Sequence, residues 1–132
     1  TDWGDTDISF SPNVISSAGI QFSASQDLTF TLLNKFVGNQ YMSNTESNIS
    51  KLSSYSTTDL NILYTIKNSA YFSEIIVTAM INNIFNKEYV SNGYYYTYDD
   101  TWSDPNLITT IEGTGYYPQA KRNFLLGLTF KL

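Results

Sequence analysis

The sequence predicts an all-β protein, an antiparallel up-and-down meander of about five strands. Several segments of strand length carry apolar residues at every second position, and no run of about 18 apolar residues is present that would form a membrane-spanning helix. The composition is 42% hydrophobic but only 14% charged, against about 25% in typical soluble domains. Neutral polar residues therefore alternate with the apolar ones, as expected where one face of each strand meets water.

The first two strands are predicted to form a hairpin. Apolar side chains fall on even positions of residues 14–24, and residues 28–41 begin with an alternation of apolar residues and Thr. The polar Ser25-Gln26-Asp27 segment between them predicts a tight turn.

The third and fourth strands follow a loop over residues 42–54 that is rich in Ser and Asn. Period-two alternation predicts strands over residues 55–66 and 72–86, with Lys67-Asn68-Ser69 as a second tight turn. Residues 88–117 hold Gly, Pro and many aromatic residues and are predicted to be a long loop, with strand extensions left open.

The last strand is predicted over residues 118–132 and shows the cleanest alternation in the chain. One face carries Phe124, Leu126, Leu128, Phe130 and Leu132. The connections thus alternate between short and long, the pattern of a transmembrane barrel with short periplasmic turns and long external loops. This pattern predicts Asp27, Asn68 and Leu132 at the periplasmic end, and the loops around Asn48 and Trp102 outside.

Composition also restricts the function. The chain has no Cys, which excludes a disulfide scaffold and a thiolate metal site, and no His, the commonest general base and metal ligand. Its formal net charge of −5 argues against a nucleic-acid partner. We therefore expect no enzyme activity, no catalytic residue, no metal and no cofactor.

Three segments resemble the C-terminal end of the TonB-dependent receptors, and with their spacing they cover the whole chain. The run Asn-Ile-Phe-Asn-Lys-Glu-Tyr is similar to the family's Asn-Leu-Phe-Asp-Lys-x-Tyr motif, with departures at Ile84 and Asn86. The final strand also resembles the signal that the barrel-assembly machinery recognises, although Leu132 stands where the family has a terminal aromatic, which leaves Phe130 as the aromatic anchor. The three segments are Gly38-Asn39-Gln40-Tyr41, Ile81-Asn82-Asn83-Ile84-Phe85-Asn86-Lys87-Glu88-Tyr89 and Tyr117-Pro118-Gln119-Ala120-Lys121-Arg122.

The resemblance implies a transporter in the outer membrane of a Gram-negative bacterium. Such a receptor closes a barrel of about 22 strands around a plug and imports a nutrient, such as an iron chelate, a cobalamin or an oligosaccharide, when TonB acts on the plug. This segment would supply barrel wall in contact with lipid, external loops and the assembly strand. We expect a fragment that begins in an external loop over residues 1–12 and that self-associates when isolated, because its strand edges and apolar face lack partners.

The candidate ligand-binding residues lie in the long loop, where aromatic rings suited to stacking occur beside carboxylates. The aromatic girdle of a barrel explains the same residues without a ligand and is the explanation we favour from the sequence. Calcium at Asp99, Asp100 and Asp104 lacks the usual loop pattern, and a glycosidase pair of Asp100 and Glu112 is an alternative that any acidic loop offers. The candidates are Tyr94, Tyr95, Tyr96, Tyr98, Asp99, Asp100 and Trp102.

Two polar groups flank the last strands. Lys121 and Arg122 either attract an anionic substrate or lipopolysaccharide phosphate or, as we favour, extend their charged ends to the membrane interface. Asn82, Asn83 and Asn86 are expected to satisfy backbone groups where the fourth strand ends.

The rival function is that of a soluble β-sandwich that binds carbohydrate with the Tyr-rich loop. A sandwich would bury Phe124 and Phe130 against a second sheet. A barrel segment would present them in one uninterrupted apolar band of about 25 Å.

Overall fold

The chain is described from a computed structural model, which covers residues 4–67, 71–104 and 106–132. Within these residues it is all-β, with a single short 3-10 helix at Asn48–Ser50 and no α-helix. The strands are β1 Ile15–Ser23, β2 Leu28–Val37, β3 Gln40–Tyr41, β4 Lys51–Leu52, β5 Tyr55–Lys67, β6 Glu74–Asn82, β7 Val90–Asp100, β8 Thr109–Pro118 and β9 Asn123–Lys131.

Five of these strands form one antiparallel sheet in the order β1-β2-β5-β6-β9. The predicted all-β class and the antiparallel five-stranded sheet are confirmed. The sheet is open, with β1 and β9 at its edges. No helix in the described parts of the chain is long and apolar enough to cross a membrane.

The predicted second strand is too long. Strand β2 ends at Val37, and Gln40–Tyr41 instead pairs with Lys51–Leu52 in a separate two-stranded sheet. The chain changes direction at Gly38, whose N–H donates to the Val14 carbonyl at 2.8 Å. A Cβ at this position would lie 3.1 Å from the same oxygen, so a larger residue would require the Val14 carbonyl to shift by a few tenths of an ångström.

The largest difference concerns residues 88–117, predicted to be a loop. Nearly all of them belong to a β-hairpin, in which β7, of 11 residues, pairs with β8, of 10 residues. Aromatic and polar residues occupy both faces of this hairpin, so it lacks the apolar alternation by which a half-buried strand is recognised. The second predicted turn cannot be compared, because Asn68 and Ser69 lie outside the described residues, as do residues 1–3 of the predicted loop.

The chain divides into two compact units. The sheet unit comprises Ser16–Phe36, Ser56–Glu88 and Ala120–Leu132, and the hairpin unit comprises Thr1–Ile15, Val37–Tyr55 and Tyr89–Gln119. Among the described residues, the buried hydrophobic side chains are Val37, Met42 and Leu52, and all three belong to the hairpin unit.

Strand register in the sheet unit collects the apolar side chains on one face. Leu60 on β5 lies opposite Ile81 on β6, which lies opposite Phe124 on β9, and these three residues form one row across the strands. Three further rows of this kind follow at intervals of two residues along each strand. Residues directly opposite one another share a face, so β5, β6 and β9 present these four rows together.

Side-chain contacts extend this face over β1 and β2. The Asn34 side chain donates to the Thr58 hydroxyl at 2.9 Å, which places Leu32 and Leu60 on one side by alternation. The Leu33 side chain lies against Gly19 on the other side, so Ile20 and Leu32 also share a face. The apolar face therefore comprises Ile20, Phe22, Leu28, Phe30, Leu32, Leu60, Ile62, Tyr64, Ile66, Ile75, Val77, Ala79, Ile81, Phe124, Leu126, Leu128 and Phe130.

The opposite side of the sheet, here called the polar face, is mostly hydrophilic. It ends in a row of alternating charge, in which Lys67 binds Asp27 at 2.6 Å and Lys131 binds Glu74 at 2.5 Å. Five apolar residues interrupt this face, but no continuous band forms. Its members on the strands include Ser17, Gln21, Thr29, Thr31, Asp59, Asn61, Thr65, Thr78, Asn82, Asn123 and Thr129, with Leu33, Leu63, Ile76, Met80 and Leu125 among them.

The apolar face is exposed on β1 and β9 and at least partly exposed on the strands between them. Phe124 is 71% exposed, Leu126 69% and Ile20 69%, and no hydrophobic side chain among the described residues of the sheet unit is buried. Burying a large apolar side chain contributes about 1.5–3 kcal/mol. Within the described residues of the sheet unit, nothing buries this face.

The fourth strand of the sheet, β6, ends in a tight turn built around two asparagines. Asn83 and Asn86 have φ of 52° and 53°, the left-handed region that Asn tolerates better than most residues. Asn83 is buried, and its side-chain amide accepts from Lys87 N at 2.9 Å and donates to Lys87 O at 2.8 Å. The Asn86 side chain accepts from Arg122 N at 3.0 Å, which joins the turn to the start of β9.

Candidate functional site

The hairpin of β7 and β8 has two chemically different faces. Tyr94 lies opposite Gly115, and Tyr96 lies opposite Gly113. Alternation puts Tyr98 and Tyr117 on the same side, which we call the tyrosine face and define as Tyr94, Tyr96, Tyr98 and Tyr117. The other side, the acid face, carries Tyr95, Asp99, Thr110, Glu112 and Tyr116.

The rings of the tyrosine face form a row. The ring centroids of Tyr94 and Tyr96 are 6.4 Å apart with 21° between the ring planes, and those of Tyr96 and Tyr98 are 6.4 Å apart with 12°. Tyr117 adds a tilted ring 6.1 Å from Tyr94. Each of the four rings is about half exposed.

Two glycines of β8 allow these rings to lie against the sheet. A Cβ at Gly115 would come within 2.3 Å of the Tyr94 ring, and one at Gly113 within 2.3 Å of the Tyr96 ring. The rings therefore cover the backbone of the partner strand and turn their outer surfaces to solvent. Covering a cross-strand glycine with an aromatic ring is a known way of stabilising a strand pair, so the row also has a structural role.

The acid face is held by hydrogen bonds within the hairpin unit. Glu112 accepts from the Tyr95 hydroxyl at 2.7 Å through Oε1 and from the Ser47 hydroxyl at 3.0 Å through Oε2. The bond to Glu112 raises the pKa of Tyr95. Asp99 accepts from the Thr110 hydroxyl at 2.7 Å. Both carboxylates of this face are thus engaged by the protein.

The core of the hairpin unit packs on the acid side. Gly93, which lies opposite Tyr116 on that side, is so close to Met42 that a Cβ would lie 2.7 Å from its sulfur. The buried Gln40 side chain donates to the Ser91 carbonyl at 3.3 Å. One side of the hairpin is therefore anchored, and the tyrosine face is the free side within this unit.

Acidic residues at the hairpin tip accept hydrogen bonds from residues of the same loop. Asp100 accepts from Trp102 N at 3.0 Å, Ser103 N at 3.2 Å and the Ser103 hydroxyl at 2.6 Å, and these bonds, the one from the hydroxyl first, lower the pKa of its carboxyl. Asp104 accepts from Asn106 N at 2.9 Å. The Trp102 side chain is 85% exposed.

The structure separates the predicted site residues into three groups. Tyr94, Tyr96 and Tyr98 stand together on one face, Tyr95 and Asp99 lie on the other, and Asp100 and Trp102 lie at the tip. The row of Tyr94, Tyr96 and Tyr98 and the carboxylates of Asp99 and Glu112 thus lie on different faces.

The register also bears on the two alternatives for the acids. Asp100 lies opposite Thr109, and Glu112 lies opposite Thr97, so their side chains point to opposite faces of the hairpin. A glycosidase pair must flank one bond from within the same cleft, which this placement prevents. Within the parts of the chain that the structure describes, no group of three His, Cys, Asp or Glu residues is placed to hold a metal ion.

Tyr117 is a member of the row that sequence reasoning missed. It follows Trp102 by fifteen positions and directly precedes Pro118, the first residue of the last predicted strand. Only the register, in which Tyr117 pairs with Asn92, brings it beside Tyr94. One signal in the sequence could have indicated the pairing. The Gly-x-Gly pattern at residues 113–115 matches the Tyr-x-Tyr pattern at residues 94–96, since each tyrosine ring needs a glycine opposite it.

The basic pair before β9 belongs to the sheet unit and is engaged there. Lys121 forms an ion pair with Glu88 and lowers the pKa of that carboxyl. Arg122 donates through Nη1 to the Ile84 carbonyl at 3.4 Å. Both side chains therefore help to hold the Asn83–Asn86 turn against the start of β9.

Comparison with known proteins gave no match, since no family model, no curated protein and no solved structure is detectably similar to the chain.

Proposed function

We propose that the chain is the C-terminal barrel segment of a TonB-dependent transporter in the outer membrane of a Gram-negative bacterium. The observation that supports this most directly is the continuous apolar face across all five strands, which is exposed on β1 and β9, at least partly exposed on the strands between them, and backed by a polar face. In a transmembrane barrel the apolar face meets lipid and the polar face meets the water-filled interior.

The lengths of the five strands fit a bilayer. The rows of the apolar face run on β5 from Leu60 to Ile66, and on β9 from Phe124 to Phe130. At about 3.3 Å per residue these rows cover about 20 Å along a strand, or about 15 Å along the membrane normal at the usual strand tilt of about 35–45°. The five strands themselves are 9 to 13 residues long, and a tilted transmembrane strand needs about 9–11 residues.

The open edges of the sheet favour the same function. Strands β1 and β9 have a neighbour on one side only, and every residue of both strands is exposed. A lone sheet with two such edges invites uncontrolled pairing, whereas in a barrel both edges pair with the remaining wall strands. The rest of the receptor barrel and its plug are therefore the partners that this segment requires.

The soluble sandwich explains the apolar face less well. In a sandwich the inner faces of two sheets bury each other at a distance of about 10 Å. Here Phe124 and Phe130 are more than half exposed, and the buried hydrophobic residues of the described chain lie in the other unit. Lipid supplies the missing cover without a second sheet.

Import of a nutrient follows from the resemblance to the receptor family. In this proposal the plug blocks the barrel, TonB acts on the plug, and the ligand passes from the outer surface to the periplasm. The segment described here contributes wall, external hairpin and assembly strand, and none of its residues is assigned a catalytic role.

Light scattering of the purified chain in buffer and in a mild detergent tests the barrel assignment. We expect oligomers in buffer. In detergent above its micelle concentration, these oligomers should dissociate, or bind detergent on the apolar face in place of other copies of the chain. A clean monomer without bound detergent under both conditions would refute the assignment and favour the soluble sandwich. Nutrient uptake by cells that carry the complete receptor, with and without TonB, tests the transport step.

A further inference from the structure

We infer that the tyrosine face is a stacking platform for an uncharged, linear oligosaccharide. The inference names the ligand class of the proposed transporter and rests on that proposed function for the direction of transport. Binding itself depends only on the hairpin unit and can be tested separately.

The shape of the platform indicates an extended ligand. The three parallel rings of Tyr94, Tyr96 and Tyr98 span about 13 Å between the outer centroids, twice the 6.4 Å spacing along one nearly straight strand. A flat row of this length matches a chain of several sugar rings, whose apolar C–H faces stack on aromatic rings. It does not enclose a ligand, as the aromatic cages that bind quaternary ammonium groups do.

Electrostatics select against anionic ligands. Residues 89–119 contain Asp99, Asp100, Asp104 and Glu112 but no Lys or Arg. Phosphates, carboxylates and sulfates are recognised by Arg, Lys or clustered N–H groups, and a field of negative sign repels them. The chemistry of this hairpin therefore fits a neutral ligand better than an anionic chelate or an acidic polysaccharide.

A cationic ligand is the other class that this sign of charge would attract. The carboxylates, however, are turned away or engaged: Glu112 and Asp99 lie on the acid face, and Asp100 caps its own turn. By register Asp100 lies on the same side of the hairpin as the tyrosine face, but its carboxylate accepts from Trp102 N, Ser103 N and the Ser103 hydroxyl. The four tyrosines present neutral rings and phenol hydroxyls. These groups can stack on sugars and exchange hydrogen bonds with their hydroxyl groups, which neutral glycans provide in number.

The platform is also held in place before a ligand arrives. Glu112 ties β8 to Ser47, Met42 packs beneath Gly93, and the rings rest on Gly113 and Gly115. Two side-chain torsions per tyrosine are thus restricted in the free protein. Preorganisation of this kind reduces the entropy lost on binding.

The test uses the complete chain in a mild detergent and titrates it with neutral gluco-, galacto-, xylo- and manno-oligosaccharides from disaccharide to hexasaccharide. We expect at least one neutral series to bind, with affinity that rises with chain length until the row is covered and then levels off. Matched oligosaccharides that carry uronic acid or sulfate groups should bind at least tenfold more weakly. Calorimetry and tyrosine fluorescence give independent readouts.

Substitutions on the two faces supply the control. Tyr96→Ala should weaken binding about tenfold or more, the loss expected for one stacking ring, whereas Tyr96→Phe should retain most of the affinity. Tyr116→Ala removes a ring of equal exposure, 50%, from the acid face and should leave binding unchanged. Because the Tyr96 ring also covers Gly113, circular dichroism and the denaturation midpoint of Tyr96→Ala must match those of the parent chain for its loss of binding to count as loss of stacking.

Three outcomes would overturn the inference: no neutral series binds, the acidic glycans bind more tightly, or Tyr96→Ala and Tyr116→Ala have equal effects. A fourth is quenching of the tyrosine row by spin-labelled lipid, which would assign it to the membrane interface. If detergent dissociates the oligomers while no glycan binds, the ligand class fails and the barrel assignment stands. If glycans bind to a chain that remains monomeric without detergent, the barrel assignment fails instead.

Discussion

Two neighbouring leucines of β9 allow the lipid-facing assignment to be tested with one kind of substitution. Leu126 lies on the apolar face opposite Ala79 and is 69% exposed, and Leu125 lies on the polar face opposite Met80 and is 61% exposed. An Arg on the lipid face of a barrel near the middle of the bilayer costs about 2–4 kcal/mol, and one on the lumen side meets water. Leu126→Arg should therefore weaken partitioning into lipid about 30- to 700-fold, since about 1.4 kcal/mol corresponds to a factor of ten.

The assay is flotation of the complete chain with phosphatidylcholine vesicles over a range of lipid concentrations, with tryptophan emission as a second readout. Leu125→Arg should change the partition coefficient by less than a factor of three, because its side chain does not have to enter hydrocarbon. Leu63→Arg and Ile62→Arg repeat the comparison on β5, where Leu63 belongs to the polar face and Ile62 to the apolar face. Equal losses for both members of each pair, or no loss for Leu126→Arg, would refute the assignment of faces.

Three further predictions concern individual contacts. Asn83→Ala should lower the free energy of unfolding by about 2–3 kcal/mol. The substitution removes two hydrogen bonds to Lys87 and leaves Ala in a left-handed backbone conformation that it tolerates less well than Asn. Asn82→Ala is the control, and equal denaturation midpoints for the two variants would contradict this prediction. The Asp100 carboxyl, whose folded pKa is lowered, stabilises the hairpin tip above its unfolded pKa, and this contribution is lost as pH falls through the folded pKa. The NMR chemical shift of the Ser103 amide should change with pH around a midpoint below 3.8. A midpoint at or above 3.8 would contradict the hydrogen bonds to Asp100. Tyr95, whose folded pKa is raised, stabilises the fold below its unfolded pKa of 10.0, and this contribution is lost as pH rises through the folded pKa. Ultraviolet difference titration against Tyr95→Phe should show that Tyr95 ionises at a higher pH in the parent chain than in Glu112→Gln. Identical titrations of the two proteins would argue against the hydrogen bond.

Alternation was sufficient to predict the five-stranded sheet, because strands with one apolar face carry the period of two in their sequence. Each predicted strand overlaps one strand of the sheet, and the turn at Asp27 lies between β1 and β2. Prediction failed where the pattern is absent. In β7 and β8 tyrosines occupy both faces, so their pairing depends on register and not on apolar period.

The sequence named the residues of the candidate site but not their arrangement. Tyr94, Tyr96 and Tyr98 were recognised, yet they were grouped with Asp99, which lies on the other face. Tyr117 was missed, because residues from separate strands become neighbours only when the register of the pair is known.

By itself the sequence determined the all-β class, the alternation of each long strand and the excess of neutral polar residues, since these properties are local and repeat along the chain. Only the tertiary structure decided which residues meet. Register joined the strand faces into one exposed apolar face, and it separated the tyrosine row from the carboxylates beside it in sequence. The physical reason is that a shift of one residue turns every side chain of a strand to its other face, so chemistry on a sheet depends on pairing that no single strand specifies.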